Sequence, residues 1–221
     1  MRLLVSGLTK FLAGILLVGL PLFLAAGTLK FFGGWLFLSA LFLPMLVMGV
    51  VMFVKAPELL KSRLDSKEKR DSQRGVVKLL AFMFLVGFVV SGLDYRFGWS
   101  HVPKWAVFAA LALFVISYLL YAEVMRENAY LSRTIKVCDG QKVVDTGLYS
   151  IVRHPMYMAT VFMFLSIPVM LGSWYAVFIF LVYPFAIAAR IKDEEKLLLA
   201  ELDGYSEYRK KVKHKIIPYI W

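Results

Sequence analysis

The sequence predicts an all-α integral membrane protein: a multi-pass helical bundle of four spans followed by a C-terminal helical hairpin, with a cytoplasmic connector and an amphipathic C-terminal helix. Three observations predict it. The 221 residues are 60% hydrophobic and only 19% charged, with a mean hydropathy of +0.71. That is more apolar side chain than one water-surrounded core of this size can hide. Apolar runs long enough to cross a bilayer recur along the chain, each needing roughly 17–25 residues. The basic residues alternate between the polar segments as membrane topology requires.

The runs fall at residues 11–27, 35–54, 76–93 and 105–125, with two shorter ones at 156–171 and 174–189 separated by Gly172 and Ser173. Hydrocarbon offers no partner to a free amide, so such runs must be helical. The first resembles a signal peptide in its flanking Arg2 and Lys10, but it is long for one, and its removal would break the charge alternation. The segments 1–10, 55–75, 126–154 and 190–221 hold 22 Lys and Arg residues; the segments between hold only Lys30, Arg96 and Lys104, and Lys78 lies in the first turn of the third span. Both termini are therefore expected in the cytoplasm. The net charge of +11 is read as topological, a match to anionic lipid and not to nucleic acid. All five tryptophans (Trp35, Trp99, Trp105, Trp174 and Trp221) fall near expected membrane boundaries, Trp221 in a tail read as returning to the interface, where interfacial aromatics belong.

A single cysteine, Cys138, excludes a disulfide framework and a thiolate metal cluster, and His101, His154 and His214 are too scattered for a metal site. The chain divides in information content. Residues 1–125 read as N-terminal transmembrane helices without chemical motif. Residues 126–221 carry the connector, the hairpin and the tail.

In the connector, two β-prone pieces at 134–137 and 142–144 flank the turn dipeptide Asp139-Gly140, the pattern of a short hairpin. Thr146-Gly147 marks a second turn. Arg153-His154-Pro155 then opens a helix, proline suiting a first position whose N–H is unpaired anyway. Singly, Arg153 reads as a snorkelling anchor, His154 as a polar residue before a helix, and Tyr149 and Tyr157 as interface aromatics. The hairpin, however, returns Arg190 and Glu194-Glu195 to the membrane face that holds Arg153-His154-Pro155. Residues 190–209 show apolar side chains at helical spacing, as in an amphipathic helix lying on the bilayer, with Gly204 late in the pattern.

Together, Thr146-Gly147-Leu148-Tyr149, Arg153-His154-Pro155-Met156-Tyr157, Arg190 with Glu194-Glu195, Gly204-Tyr205-Ser206-Glu207-Tyr208 and Ile217-Pro218-Tyr219-Ile220-Trp221 resemble the isoprenylcysteine carboxyl methyltransferase family and the related phospholipid methyltransferases. The resemblance covers residues 126–221. It implies an enzyme that uses S-adenosylmethionine (SAM) as methyl donor, bound on the cytoplasmic side. It further implies cofactor contacts from Gln141, Lys142, Val143, Val144, Tyr149, His154, Pro155, Met156, Tyr157, Glu194 and Glu195. Arg190 would orient the substrate, a lipophilic acceptor arriving through the bilayer, such as the carboxylate of an isoprenylated cysteine. Cys138 and Gln141 depart from the residues common in relatives. A membrane reductase of the sterol-reductase type using NADPH, and a non-enzymatic membrane scaffold, stand as alternatives.

Overall fold

The computed structural model describes residues 2–64, 71–128, 130–131, 137 and 140–221. Within them lie α1 (Arg2–Ala26), α2 (Phe32–Lys55), α3 (Pro57–Leu64), α4 (Asp71–Phe97), α5 (Lys104–Glu127), α6 (Pro155–Met170), α7 (Trp174–Phe180), α8 (Val182–Glu201) and α9 (Tyr205–Lys211), with a single 3-10 turn at Gly147–Ser150. No strand occurs among the described residues. Of the expected hairpin, residues 134–136, 138 and 139 lie outside them, and 142–144 adopt no regular structure.

Among the described residues five segments are long and apolar enough to cross a membrane: Leu3–Ala26, Phe32–Lys55, Gln73–Phe97, Lys104–Glu127 and Trp174–Glu201, the last formed by α7 and α8 together. The architecture is therefore the expected multi-pass helical membrane bundle. Its outward faces are apolar, with Leu17, Leu24, Phe178 and Phe185 each more than 70% exposed. The step from α7 to α8 at Leu181 has a local cause: Pro184 lacks an amide hydrogen, and its ring crowds the carbonyl four residues back, at Phe180. α6 has 16 residues, about 24 Å at ~1.5 Å per residue, less than the ~30 Å of a hydrocarbon core.

α5 packs on α6, α1 on α4, and α4 on α7. Phe37, Phe88, Phe114 and Phe180 fill the centre, joined edge to face where Phe84 meets Phe164 at 5.0 Å between ring centroids. α1 and α4 approach so closely at Gly92 that a β-carbon there would lie 2.5 Å from the Leu22 carbonyl oxygen. At one end of the bundle, buried Asp94 accepts from the Ser100 amide (2.7 Å) and hydroxyl (2.7 Å) and from the Ser173 hydroxyl (2.5 Å). This ties α4 to the α6–α7 turn.

The opposite, polar end gathers the start of α1, the end of α2, α3, the start of α4, the end of α5, the connector, the start of α6 and the end of α8. Here helices overrun their apolar stretches. α4 has 27 residues, about 40 Å at ~1.5 Å per residue, longer than a ~30 Å hydrocarbon core, and its first turn carries Gln73. α8 likewise continues to Glu201. The helical pattern over 190–209 is divided: its first part prolongs α8 instead of forming a separate helix, and Gly204, the residue expected to interrupt it, has φ +82° and breaks it before α9. A left-handed φ costs glycine nothing, so the chain turns there.

Candidate functional site

The connector is fastened at both ends by side chains. The Glu127 carboxylate, at the end of α5, accepts from the Leu148 amide at 3.0 Å. The preceding Gly147 has φ +51°, and a β-carbon on it would collide with that carboxylate; glycine satisfies both constraints. Asn128 Nδ2 donates to the Tyr149 hydroxyl (2.9 Å), and the Tyr208 hydroxyl of α9 donates to the Tyr149 carbonyl (2.7 Å).

Arg153 and His154 are held by the tail. Their amides donate to the carbonyls of His214 (3.0 Å) and Lys215 (2.8 Å). The buried Arg153 guanidinium gives Nε to Glu195 Oε1 (2.8 Å) and NH1 to the carbonyls of Val212 and Lys213, both at 2.7 Å. His154 Nε2 lies 3.4 Å from the same Glu195 oxygen, and Lys215 Nζ lies 3.6 Å from the other. Glu195 therefore neutralises a buried cationic knot joining α6, α8 and the tail.

Between these fastenings is a cavity. Gln141, Lys142, Val143, Val144 and Tyr149 line it from the connector; His154, Pro155, Met156 and Tyr157 line it from the start of α6; Arg190 and Glu194 line it from α8. These eleven residues, expected from the sequence to form a site, converge on one space although the first and last are more than fifty positions apart. Glu195, also expected there, is not among the lining residues: with Arg153 it stands behind the wall.

Inside, the Tyr157 hydroxyl donates to Glu194 Oε2 at 2.6 Å and accepts from Arg190 Nε at 3.0 Å. Arg190 NH1 reaches Gln73 Oε1 at 3.4 Å, and Gln73 Nε2 donates to Asp193 Oδ2 at 2.8 Å. A row of alternating charge and hydrogen-bonding capacity thus fixes the Arg190 fork and the Glu194 carboxylate relative to each other. Arginine and carboxylate so placed can grip opposite charges on a bound molecule, each in a fixed direction.

The far wall is apolar and aromatic: Leu198, Leu202, Tyr205 and Tyr208. Burial pushes the hydroxyls of Tyr149, Tyr205 and Tyr208 above the ordinary tyrosine range, so they remain neutral hydrogen-bonding groups. Sequence reading placed Tyr205 and Tyr208 in a motif and on a helical stripe but gave them no place in the site. It missed Gln73 and Asn128 altogether. Asn128 carried a usable signal, directly following the fourth apolar helix, whereas Gln73 arrives from 117 positions away with no local mark. Among the described residues no group of histidine, cysteine or carboxylate side chains has the geometry of a metal site.

Fold and site define a class: a multi-pass helical membrane protein with a small polar chamber built at one end of its bundle, where a helical hairpin meets a connector and a folded-back tail. A comparison with known families shows what the second half of the chain is similar to. Residues 105–205 match the family described as phospholipid methyltransferase, which includes the isoprenylcysteine carboxyl methyltransferases. The match supports a methyltransferase and spans α5, the connector and α6 to α8, ending at Tyr205; Gln73 and Tyr208 lie outside it. No curated protein matches the chain.

Proposed function

We propose that the protein is an integral membrane SAM-dependent methyltransferase with its site and both termini on the cytoplasmic side, acting on a lipophilic acceptor such as the carboxylate of an isoprenylated cysteine. The observation that carries this reading is the single cavity shared by Tyr149, His154, Tyr157, Arg190 and Glu194. Its donor set suits a zwitterionic nucleoside. Glu194 answers an ammonium or ribose hydroxyls, Lys142 a carboxylate, and the Tyr205, Tyr208 and Leu202 wall a planar base. When bound, SAM would supply an activated methyl group on a sulfonium, held by the residues above for transfer to the acceptor's nucleophilic oxygen.

The chain's own task is alignment and exclusion of water. An anionic acceptor needs no general base, so what matters is holding the two partners in line in a dry space. Arg190, fixed by Tyr157 and Gln73, presents its fork to the acceptor. The connector and tail, pinned through Tyr149 and Arg153, close the polar end. The test is incubation of the purified protein with methyl-labelled SAM and a total membrane extract. Label entering a lipophilic product, and lost in Arg190→Ala, supports the reading; no transfer, or transfer untouched by Arg190→Ala, contradicts it.

A further inference from the structure

Five tyrosines line the polar cavity: Tyr130, Tyr149, Tyr157, Tyr205 and Tyr208. Four of them have a hydrogen-bond partner for the hydroxyl within the protein: respectively the Gly140 carbonyl, Asn128 Nδ2, the Glu194 and Arg190 pair, and the Tyr149 carbonyl. The Tyr205 hydroxyl has none among the described residues, and its oxygen is closed off from solvent, so water does not serve it either. Buried polar groups are paired as a rule, and leaving one unpaired costs the folded chain stability.

The side chain is held in place. Tyr205 opens α9 directly after the Gly204 turn, its amide donates to the Leu202 carbonyl at 3.2 Å, and its ring packs 5.7 Å from that of Tyr208. Only 3% of the residue is exposed. Burial lifts its hydroxyl above the ordinary tyrosine range; Glu195 adds to the rise, Arg153 opposes it, and Glu194 adds again. The group therefore keeps its hydrogen. Of these neighbours, Glu195 is engaged by Arg153, His154 and Lys215, and Arg153 can only donate. What Tyr205 lacks is an acceptor. Glu194 has the opposite capacity: an ionised carboxylate only accepts, at about four lone-pair sites, and the Tyr157 hydroxyl takes one of them.

Resting on the methyltransferase reading, we propose that Tyr205 binds the ribose of the cofactor: its hydroxyl donates to a hydroxyl of the sugar, and the sugar diol donates in turn to Glu194. A hydroxyl both accepts and donates, which is what a hydrogen without an acceptor and a carboxylate with spare lone pairs require together. The cofactor's ammonium only donates; it would satisfy Glu194 and leave Tyr205 unpaired. The cavity holds about 100 Å³, less than the ~300 Å³ at the lower end of small-ligand pockets, so a nucleoside enters as the wall yields. The wall beside Tyr205 is the connector, where residues 142–144 lack regular structure and Val143 lies 3.9 Å from where a β-carbon on Gly204 would stand. Opening there uncovers the hydroxyl for the incoming sugar.

The experiment uses the full chain purified in detergent. The probes, in equilibrium dialysis, are S-adenosylhomocysteine (the donor without its methyl) and its 2′-deoxy and 3′-deoxy analogues, with thermal unfolding without ligand in parallel. The parent is expected to bind S-adenosylhomocysteine at least about tenfold more tightly than one of the deoxy analogues, the worth of a hydrogen bond. Tyr205→Phe is expected to lose about tenfold toward S-adenosylhomocysteine and nothing toward that analogue, so that the two losses do not add. Its unliganded midpoint is expected to equal or exceed the parent's, because only an unpaired hydroxyl has been removed. Undiminished binding by Tyr205→Phe, an equal loss toward all three probes, or a lower unliganded midpoint overturns the proposal. Failure of the folded parent to bind S-adenosylhomocysteine refutes the methyltransferase reading itself, a result distinct from parent binding that Tyr205→Phe leaves intact.

Discussion

The adjacent acids Glu194 and Glu195 face different surroundings, and separating them by mutation tests the site most sharply. Glu195 is 7% exposed in its side chain and Arg153 4%, with 2.7 Å between them; His154 and Lys215 complete its partners. Glu195→Ala strands the Arg153 charge, and breaking such a buried pair costs about 3–5 kcal/mol. At about 2–4 °C per kcal/mol for a chain of this size, the unfolding midpoint of the detergent-purified protein is expected to fall by about 10 °C. Glu194 has a different partner, the Tyr157 hydroxyl, and Glu194→Gln keeps an acceptor for it. Its midpoint is expected to stay near that of the parent while SAM affinity drops about 10- to 100-fold, the worth of a charge-assisted hydrogen bond of about 1.5–3 kcal/mol. A Glu195→Ala protein that melts with the parent, or a Glu194→Gln protein destabilised just as much, would refute the reasoning.

At the other end of the bundle, Asp94→Asn weakens the three bonds from Ser100 and Ser173 and is expected to cost about 1–3 kcal/mol in thermal unfolding, with SAM affinity untouched. Gln73→Leu cuts the link between Arg190 and Asp193; turnover is expected to fall about tenfold, or ~1.4 kcal/mol of barrier, while dialysis finds SAM bound as before. Stability should also decline in alkali. Burial raises the Tyr149, Tyr205 and Tyr208 hydroxyls, so the folded chain retains protons that the unfolded chain surrenders above about pH 10. Their contribution is whole below that pH and is lost above it, and midpoints measured across the alkaline range should show the loss shrinking in Tyr208→Phe.

The membrane helices were legible because hydrocarbon forces one solution on an apolar run, whatever its packing. Their ends were not. Asp71 to Gly75 and Arg190 to Glu201 continue α4 and α8 where polarity alone reads as loop or surface helix, and Pro57–Leu64 forms a helix inside a stretch read only as a basic connector. The site was legible where residue types cluster in short blocks, as at Arg153-His154-Pro155 and Arg190 with Glu194-Glu195. Within the acidic pair the resemblance favoured Glu194 as the residue facing the cavity, but the pairing of Glu195 with Arg153 was not legible, because it depends on which way α8 turns each carboxylate. Gln73 shows the same limit, since only the overrun of α4 brings an otherwise ordinary amide to Arg190.

What enters the cavity beside Glu194 decides the function most directly. Equilibrium binding to the purified protein should find SAM saturating at one molecule per chain, displaced by S-adenosylhomocysteine and weakened in Glu194→Gln, with no competition from NADPH. Saturation by NADPH in its place, or failure of either molecule to bind a folded protein, would contradict it.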